Sequence, residues 1–269
     1  MQYDPIKREL GTLFNKTPFT RKIFYKLLDL LLLRAWHVKR ELKIFRKNNT
    51  GEINILDAGA GYGQYAFFMS GLSATWNIKA VDVKEEQVDD CNRFFKKVKR
   101  DNRVVFEMAD LVKFIEEENY SLILSVDVME HIKDDENVFG NFYKSLKSGG
   151  LLLISTPSDK GGSDVFHNHG NSFIEEHVRN GYGVNEIKTK LGKAGFTQIN
   201  TRYTYGKPGQ LSWKLSMKYP ILILNISKIF FIILPFYYLL TFPVSLLLNV
   251  LDVRKRHKTG TGLIVKAWK

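Results

Sequence analysis

The sequence predicts an α/β fold in which a mostly parallel sheet is buried between layers of helices. Three observations carry that prediction. From Ile53 onward, short apolar runs alternate with helix-length stretches. The runs lack the in–out alternation of half-exposed strands, as strands covered on both faces do. Turn residues such as Gly149-Gly150 punctuate them.

Taken in order, the strands are INILDAG (53–59), IKAVDV (78–83), VVFEMAD (104–110), YSLILSVDV (120–128), GGLLLISTP (149–157), AGFTQINTRYTYG (194–206) and TGLIVKAWK (261–269). Helices are expected after Gly63, over Glu85–Val98, around Glu136–Leu146, and over Ser172–Asn180 and Asn185–Ala194. Ahead of the sheet, Thr20–Lys47 reads as one long basic helix. Thr17-Pro18 starts it, and Asn48-Asn49-Thr50-Gly51 ends it. Ile23, Leu27, Leu30, Leu31, Arg34 and Val38 mix an apolar face with cations. Between the last two strands, Ile229–Val250 has 17 apolar residues of 22 and no charge, and Arg254–Lys258 follows as a cluster of cations.

The chain has 269 residues, 44% of them hydrophobic, enough for one large domain with appendages. Its net charge of +12 is segregated. Residues 1–50 carry 12 Lys/Arg against 4 Asp/Glu, and residues 201–269 carry 11 against 1. The middle carries 17 against 23. Basic ends around an acidic centre point to a polyanionic surface, either membrane or nucleic acid. Cys91 is alone, which excludes a disulfide framework and a cysteine metal site and suits a reducing cytosol. No signal peptide is evident.

The first strand runs into Asp57-Ala58-Gly59-Ala60-Gly61-Tyr62-Gly63-Gln64. Glycines at alternate positions let the backbone turn sharply and approach a ligand. Gln64 stands where a dinucleotide fingerprint has its last glycine, and Asp57 would repel a phosphate. That carboxylate suits a ligand bearing an ammonium or a sulfonium. Asp82, followed by Val83, closes the second strand, where a carboxylate can accept both hydroxyls of a ribose. Asp110 closes the third, in reach of an adenine amine. A ribose, an adenine and a positive charge without phosphate describe S-adenosylmethionine.

On these residues the sequence closely resembles the class I S-adenosylmethionine-dependent methyltransferases, over about 50–206 and 261–269. The resemblance implies a Rossmann-like seven-stranded sheet with helices on both faces. It implies that the glycine loop holds the methionine end, Asp82 the ribose and Ala109-Asp110-Leu111 the adenine, with Val126 lining the sulfonium side. The domains expected are a basic N-terminal helical lid (1–50), the cofactor-binding core (51–206), a hydrophobic insertion (207–260) and the last strand (261–269).

After the fourth strand, Asp127, Glu130 and His131 stand at i, i+3 and i+4, on one face if the segment is helical. This D-x-x-E-H looks like the E-x-x-E-H of ubiquinone-biosynthesis O-methyltransferases and small-RNA 2′-O-methyltransferases, with Asp in place of the first Glu. The three could hold a divalent metal (Mg, Mn or Zn), or His131 could serve as a metal-free general base. His167 and His169 in the loop 158–170 are further candidates for a base or a ligand. The absence of N/D-P-P-Y/F argues against amino-methylation of nucleic acid.

The function expected is methyl transfer to a hydroxyl of a lipophilic small molecule or lipid. Alternatives are C-methylation of a quinone-like or pigment ring, and a membrane scaffold that binds cofactor without turnover. The basic ends and the apolar insertion favour an anionic membrane surface over nucleic acid as partner. In the family the sixth and seventh strands pair antiparallel, so one bilayer crossing between them would separate partners of one sheet. Pro235 and Pro243 also interrupt a straight helix. A helical hairpin dipping into one leaflet is expected, on a cytoplasmic protein held peripherally or monotopically.

Overall fold

A computed structural model describes residues 17–161 and 178–269. His167 and His169, and most of the helix expected over Ser172–Asn180, lie outside the described residues.

Helix α1 (Pro18–Leu31) begins where the sequence places it. Thr17 and Thr20 form a reciprocal capping box, with Pro18 at the first helical position. It does not run on to Lys47, however. Leu32 is extended (φ −96°, ψ 106°), and α2 (Leu33–Asn48) starts afresh. No glycine or proline marks this break. A helix start leaves N–H groups without intrahelical acceptors, and the Tyr205 hydroxyl accepts one of them, from Arg34 N at 3.0 Å.

Five parallel strands follow: β1 (Ile53–Ala58), β2 (Trp76–Asp82), β3 (Val104–Met108), β4 (Tyr120–Val126) and β5 (Leu146–Pro157). Between them stand α3 (Gln64–Leu72), α4 (Glu85–Lys97) and α5 (Asp135–Ser145). Then come α6 (Val184–Lys193), β6 (Gln198–Thr204) and, after the insertion, β7 (Gly262–Trp268). The sheet order is β3-β2-β1-β4-β5-β7-β6, with β7 antiparallel to both neighbours. Strand β5 starts three residues earlier than expected, with Gly149-Gly150 inside it.

Alternate residues of each strand feed different layers. Ile55, Ile78, Leu122 and Leu153 join a core with Val38, Leu42, Met69 and Phe95 from α2, α3 and α4. Leu56, Val81, Ile123 and Leu152 join another with Phe139, Phe142, Ile187 and Leu191 from α5 and α6. Burial on both faces is why the strands read as unbroken apolar runs.

The insertion is a helical hairpin. Its first arm is α7 (Lys207–Trp213), a π-helical turn (Lys214–Lys218) and α8 (Tyr219–Ile226). Its second arm is α9 (Leu234–Arg254), 21 residues long with Pro243 inside it. Small residues line the first arm where the arms meet: Gly209, Ser212 and Ser216 are buried, and Ser212 Oγ donates to Ser245 O at 3.1 Å. Leu215 and Ser216 carbonyls accept the Tyr237 and Tyr238 hydroxyls at 2.7 and 2.8 Å. On α9 the buried residues are Ser245, Asn249 and Asp252. Phe236, Leu240, Val244, Leu247 and Leu251 face outward, with Leu239 and Leu240 73% and 76% exposed. The hairpin is thus polar inside and apolar outside.

Because β6 and β7 pair Thr204 with Gly262, and Gly262 pairs with Pro157, both feet of the hairpin leave the sheet at the ends of β5 and β6. That is the edge at which β1–β4 also end.

Candidate active site

The loop after β1 turns three times through the left-handed region, at Gly59 (φ 77°), Gly61 (φ 51°) and Gly63 (φ 75°). The glycines have different duties. A Cβ on Gly59 would lie 2.3 Å from Val128 Cγ2, and one on Gly63 would lie 2.8 Å from Phe106 Cζ. These two let the loop pack on its neighbours. A Cβ on Gly61 would meet only Gln87 Oε1 at 4.0 Å, so the space above Gly61 is open. Gly59 N and Ala60 N donate to Val81 O, which ties the loop to β2.

Asp82 is oriented from both sides: Gly61 N donates to Oδ2 at 2.8 Å and Lys84 N to Oδ1 at 3.1 Å. The next residue, Val83, is exposed. Ala109 N donates to Asp82 O. Asp110 is exposed and turns its own loop by accepting from Val112 N. Asn141 of α5 pins that loop through the Leu111 and Val112 carbonyls at 3.0 and 2.9 Å. The landmarks at the ends of β1, β2 and β3 therefore share one edge, with Val126 half-buried at the end of β4.

Asp57 lies at the base of this loop, buried, and its Oδ2 has no hydrogen-bond partner. Burial, and secondarily the Asp82 charge, push its carboxyl up to about 7, with an Ala66 backbone hydrogen bond opposing. A buried acceptor without a donor is costly alone, and it fits the cationic end of the ligand. Together with the open space at Gly61 and the held Asp82 carboxylate, the chain's residues fit S-adenosylmethionine. Asp57 and the loop Ala58-Gly59-Ala60-Gly61 would hold the amino acid end and Asp82 the ribose. Bound there, the cofactor supplies an electrophilic methyl group.

The metal expectation does not hold. Asp127 is left-handed (φ 51°), and Met129–His131 is a single 3-10 turn, so the three side chains do not share an α-helical face. Asp127 is ion-paired with Arg34. Glu130 is 1% exposed and accepts from Thr156 Oγ1 at 3.1 Å. Burial first, and then the Asp127 charge, push its carboxyl up to about 8. A carboxyl turned inward to Thr156 and one held by Arg34 do not make a ligand set. Among the described residues, no three His, Cys, Asp or Glu side chains are grouped to hold an ion. His131, half-buried on the 3-10 turn, remains at the edge where β4 ends.

Asp57 and Glu130 give the protein an unusual pH dependence. Both folded-state values lie above those of unfolded carboxyls, so the folded chain keeps protons that the unfolded chain releases. Stability therefore falls as pH rises from about 4 to 7 for Asp57, and to about 8 for Glu130. The slope is up to about 1.4 kcal/mol per pH unit for each group. Cofactor-free protein is expected to melt lower at pH 8 than at pH 6, and Glu130→Gln to flatten that fall. An unchanged slope in Glu130→Gln would remove Glu130 from this account.

The sequence reading missed the residues that bring the lid onto the site. Arg21 is buried, and it donates to Asp90 Oδ2 (2.6 Å), Tyr62 O (2.9 Å) and Tyr25 Oη (2.8 Å). Tyr25 Oη donates to the same Tyr62 carbonyl. Gln64 Nε2 donates to Asp29 Oδ1 at 2.7 Å. Helix α1 therefore grips the glycine loop by backbone and side chain. Tyr65 follows on α3 with its hydroxyl buried and unpartnered, and burial pushes it above the phenol range. In sequence, Arg21 was one cation of many. Its spacing to Tyr25 (i, i+4) was the one available signal.

Comparison with known proteins agrees with this geometry. The family described as "Methyltransferase domain" matches residues 19–201. Phosphoethanolamine N-methyltransferase 2 of Caenorhabditis elegans is 25% identical over 158 residues, 55% of this chain and 33% of that protein. Demethylmenaquinone methyltransferase of Leptospira interrogans is 26% identical over 144 residues, 52% of this chain and 57% of that one. The chain thus spans between a third and three-fifths of these relatives' lengths. Among solved structures, phosphoethanolamine N-methyltransferase 2 of Haemonchus contortus, with phosphomonomethylethanolamine and S-adenosylhomocysteine, superposes with a TM-score of 0.58 at 18% identity. That match covers 86% of this chain and 52% of the other. A family match over more than half the chain, on a sheet of this order, makes it a member of the class I S-adenosylmethionine-dependent methyltransferases.

Proposed function

We propose that this enzyme methylates a hydroxyl of a lipophilic small molecule or lipid at the surface of a membrane, to which it is held monotopically from the cytoplasm. The carrying observation is the inside-out hairpin at the cofactor edge. A soluble helical pair buries its apolar faces. Here Ser245, Asn249 and Asp252 are buried while Phe236, Leu239 and Leu240 stand in the open. Small residues between the arms, which let the two backbones approach closely, are what helix packing in hydrocarbon favours. Helix α9 is long and apolar enough to cross a membrane. Both feet of the hairpin nevertheless belong to one sheet, so the pair enters and returns on the same side. Arg254, Lys255, Arg256 and Lys258 then lie at headgroup level.

Such seating brings the site's mouth to the bilayer, where a lipophilic acceptor resides. The two relatives named above differ in acceptor, one a phosphorylated amine and the other a quinone precursor. The apolar wall favours the lipophilic kind. In the reaction, the chain's residues would hold cofactor and acceptor in line, and His131 would take the hydroxyl proton as the methyl group passes from sulfur, which keeps the bonding pair, to the acceptor oxygen.

The test is turnover of labelled cofactor with a lipid extract in anionic vesicles, with the product's methyl position read by mass spectrometry. A methyl ether in the lipid fraction is expected. Equal turnover of free phosphoethanolamine without vesicles would overturn the reading. His131→Ala is expected to lower kcat about 100-fold with cofactor affinity unchanged. An unaltered kcat would remove His131 as the base.

A further inference from the structure

Helix α1 is apolar on two opposite sides. Its inward side carries Phe24, Tyr25 and Leu28, packed into the core with buried Arg21. At about 100° per residue, Phe19, Ile23, Leu27 and Leu30 fall within one quadrant on the other side. All four are exposed, Phe19 at 72%. The cations beside this stripe, Lys22 and Lys26, are exposed as well. The helix's one acidic residue, Asp29, is turned to Lys39 and Gln64. A helix apolar on both sides has two apolar partners, and the core supplies only one.

Beyond the break at Leu32, α2 packs both on α1 and on the foot of the hairpin. A Cβ on Gly209 would lie 2.6 Å from Leu33 Cδ2, which places α7 against the start of α2. His37 Nε2 bonds Asp252 Oδ1 at 2.9 Å, and Arg40 donates to Val253 O at 3.2 Å. Helix α2 is therefore fixed to the hairpin, and α1 is joined to it through α2.

We infer that the outer stripe of α1, Phe19-Ile23-Leu27-Leu30, is a second lipid-contact surface that lays the lid on the same anionic bilayer as the hairpin. The inference rests on the membrane reading above. A lipid surface suits the stripe because α2 ties α1 to the apolar hairpin and because Lys22 and Lys26 match anionic headgroups. It has a consequence for the cofactor. The other face of α1 holds Tyr62 of the glycine loop, so lipid contact and cofactor binding stabilise the same position of the helix. By linkage, each raises the affinity for the other by the same factor.

The test places an environment-sensitive thiol probe on L27C or, separately, L240C in the full chain, with Cys91 buried and left in place. Vesicles of phosphatidylcholine and phosphatidylglycerol carry nitroxide lipids as quenchers. Quenching at both positions is expected, with cofactor tightening vesicle binding of the parent protein. Ile23→Ser with Leu27→Ser is expected to weaken vesicle binding about tenfold and to remove the cofactor effect. Quenching at position 240 alone overturns the lid contact and leaves the hairpin reading standing. Quenching at neither overturns both. A probe at 27 shielded without vesicles shows the stripe covered by a second copy, if shielding depends on concentration, or by the chain itself, if it does not. Either result overturns the inference.

Discussion

Asp252→Ala is expected to destabilise the fold by about 3–5 kcal/mol, a fall in melting temperature of roughly 6–20 °C for a chain of this size. The carboxylate is fully buried, yet it is met by hydrogen-bond donors from three segments and by the charge of a fourth. His37 comes from α2 at 2.9 Å, Tyr205 N from the end of β6 at 3.1 Å and Gly209 N from α7 at 3.0 Å. His257, beyond α9, stands 3.1 Å away. Burial opposes the charge, but the His37 hydrogen bond and the His257 charge hold the carboxyl below its ordinary range. A lowered folded value means stability that is present above the ordinary carboxylate range and lost as pH falls through the folded value. Alanine leaves three donors unpaired at once and removes the charge facing His257. Asp252→Asn, which keeps the shape, is expected to cost less. If Asp252→Ala melts with the parent protein, this joint is not what holds the hairpin to the core.

Gly59→Ala is expected to weaken cofactor binding at least about 100-fold, or about 2.7 kcal/mol. Two costs combine. A left-handed φ of 77° disfavours any Cβ by about 1–2 kcal/mol. The added atom would also sit 2.3 Å from Val128 Cγ2, which pushes apart the loops after β1 and β4. Gly59→Ala with Val128→Ala is expected to recover the second cost and leave roughly a tenfold deficit. Gly61→Ala provides the contrast. Its Cβ enters open space and carries only the left-handed backbone cost, so the protein should melt closer to the parent than Gly59→Ala does while losing cofactor. Titration calorimetry and thermal melting separate the two. If Gly59→Ala and the double variant bind cofactor equally, the overlap with Val128 is not the cause.

How far the sequence could be read follows from where each signal lives. The strands were legible because two-sided burial writes itself as unbroken apolar runs, and the order Asp57, Asp82, Asp110 places all three at strand ends. The hairpin was legible because Thr197–Tyr205 and Thr261–Trp268 must share a sheet, which forbids a single crossing. The break at Leu32 was not, because it depends on Tyr205, 171 residues away from Arg34. The metal reading of Asp127, Glu130 and His131 failed for the same kind of reason. Spacing is informative only if the segment is α-helical, and here a left-handed Asp127 leads into a 3-10 turn. The partners that decide its chemistry, Arg34 and Thr156, are distant in sequence. Ile23, Leu27 and Leu30 were seen as an apolar face, but periodicity cannot say which of two apolar faces meets the core.

Strand β7 is wedged between β5 and β6, and the hairpin precedes it in the chain. During synthesis, the greasy arms therefore leave the ribosome before the residues that lock β6 into the sheet. Until Gly262–Trp268 arrives, β6 has no neighbour to pair with, and the apolar wall is on display beside an unfinished edge. A bilayer that captures the arms at that stage would tether the half-built sheet where β7 can close it. Assembly and membrane attachment would then be one event, and synthesis far from lipid would leave both the wall and the open edge to aggregate.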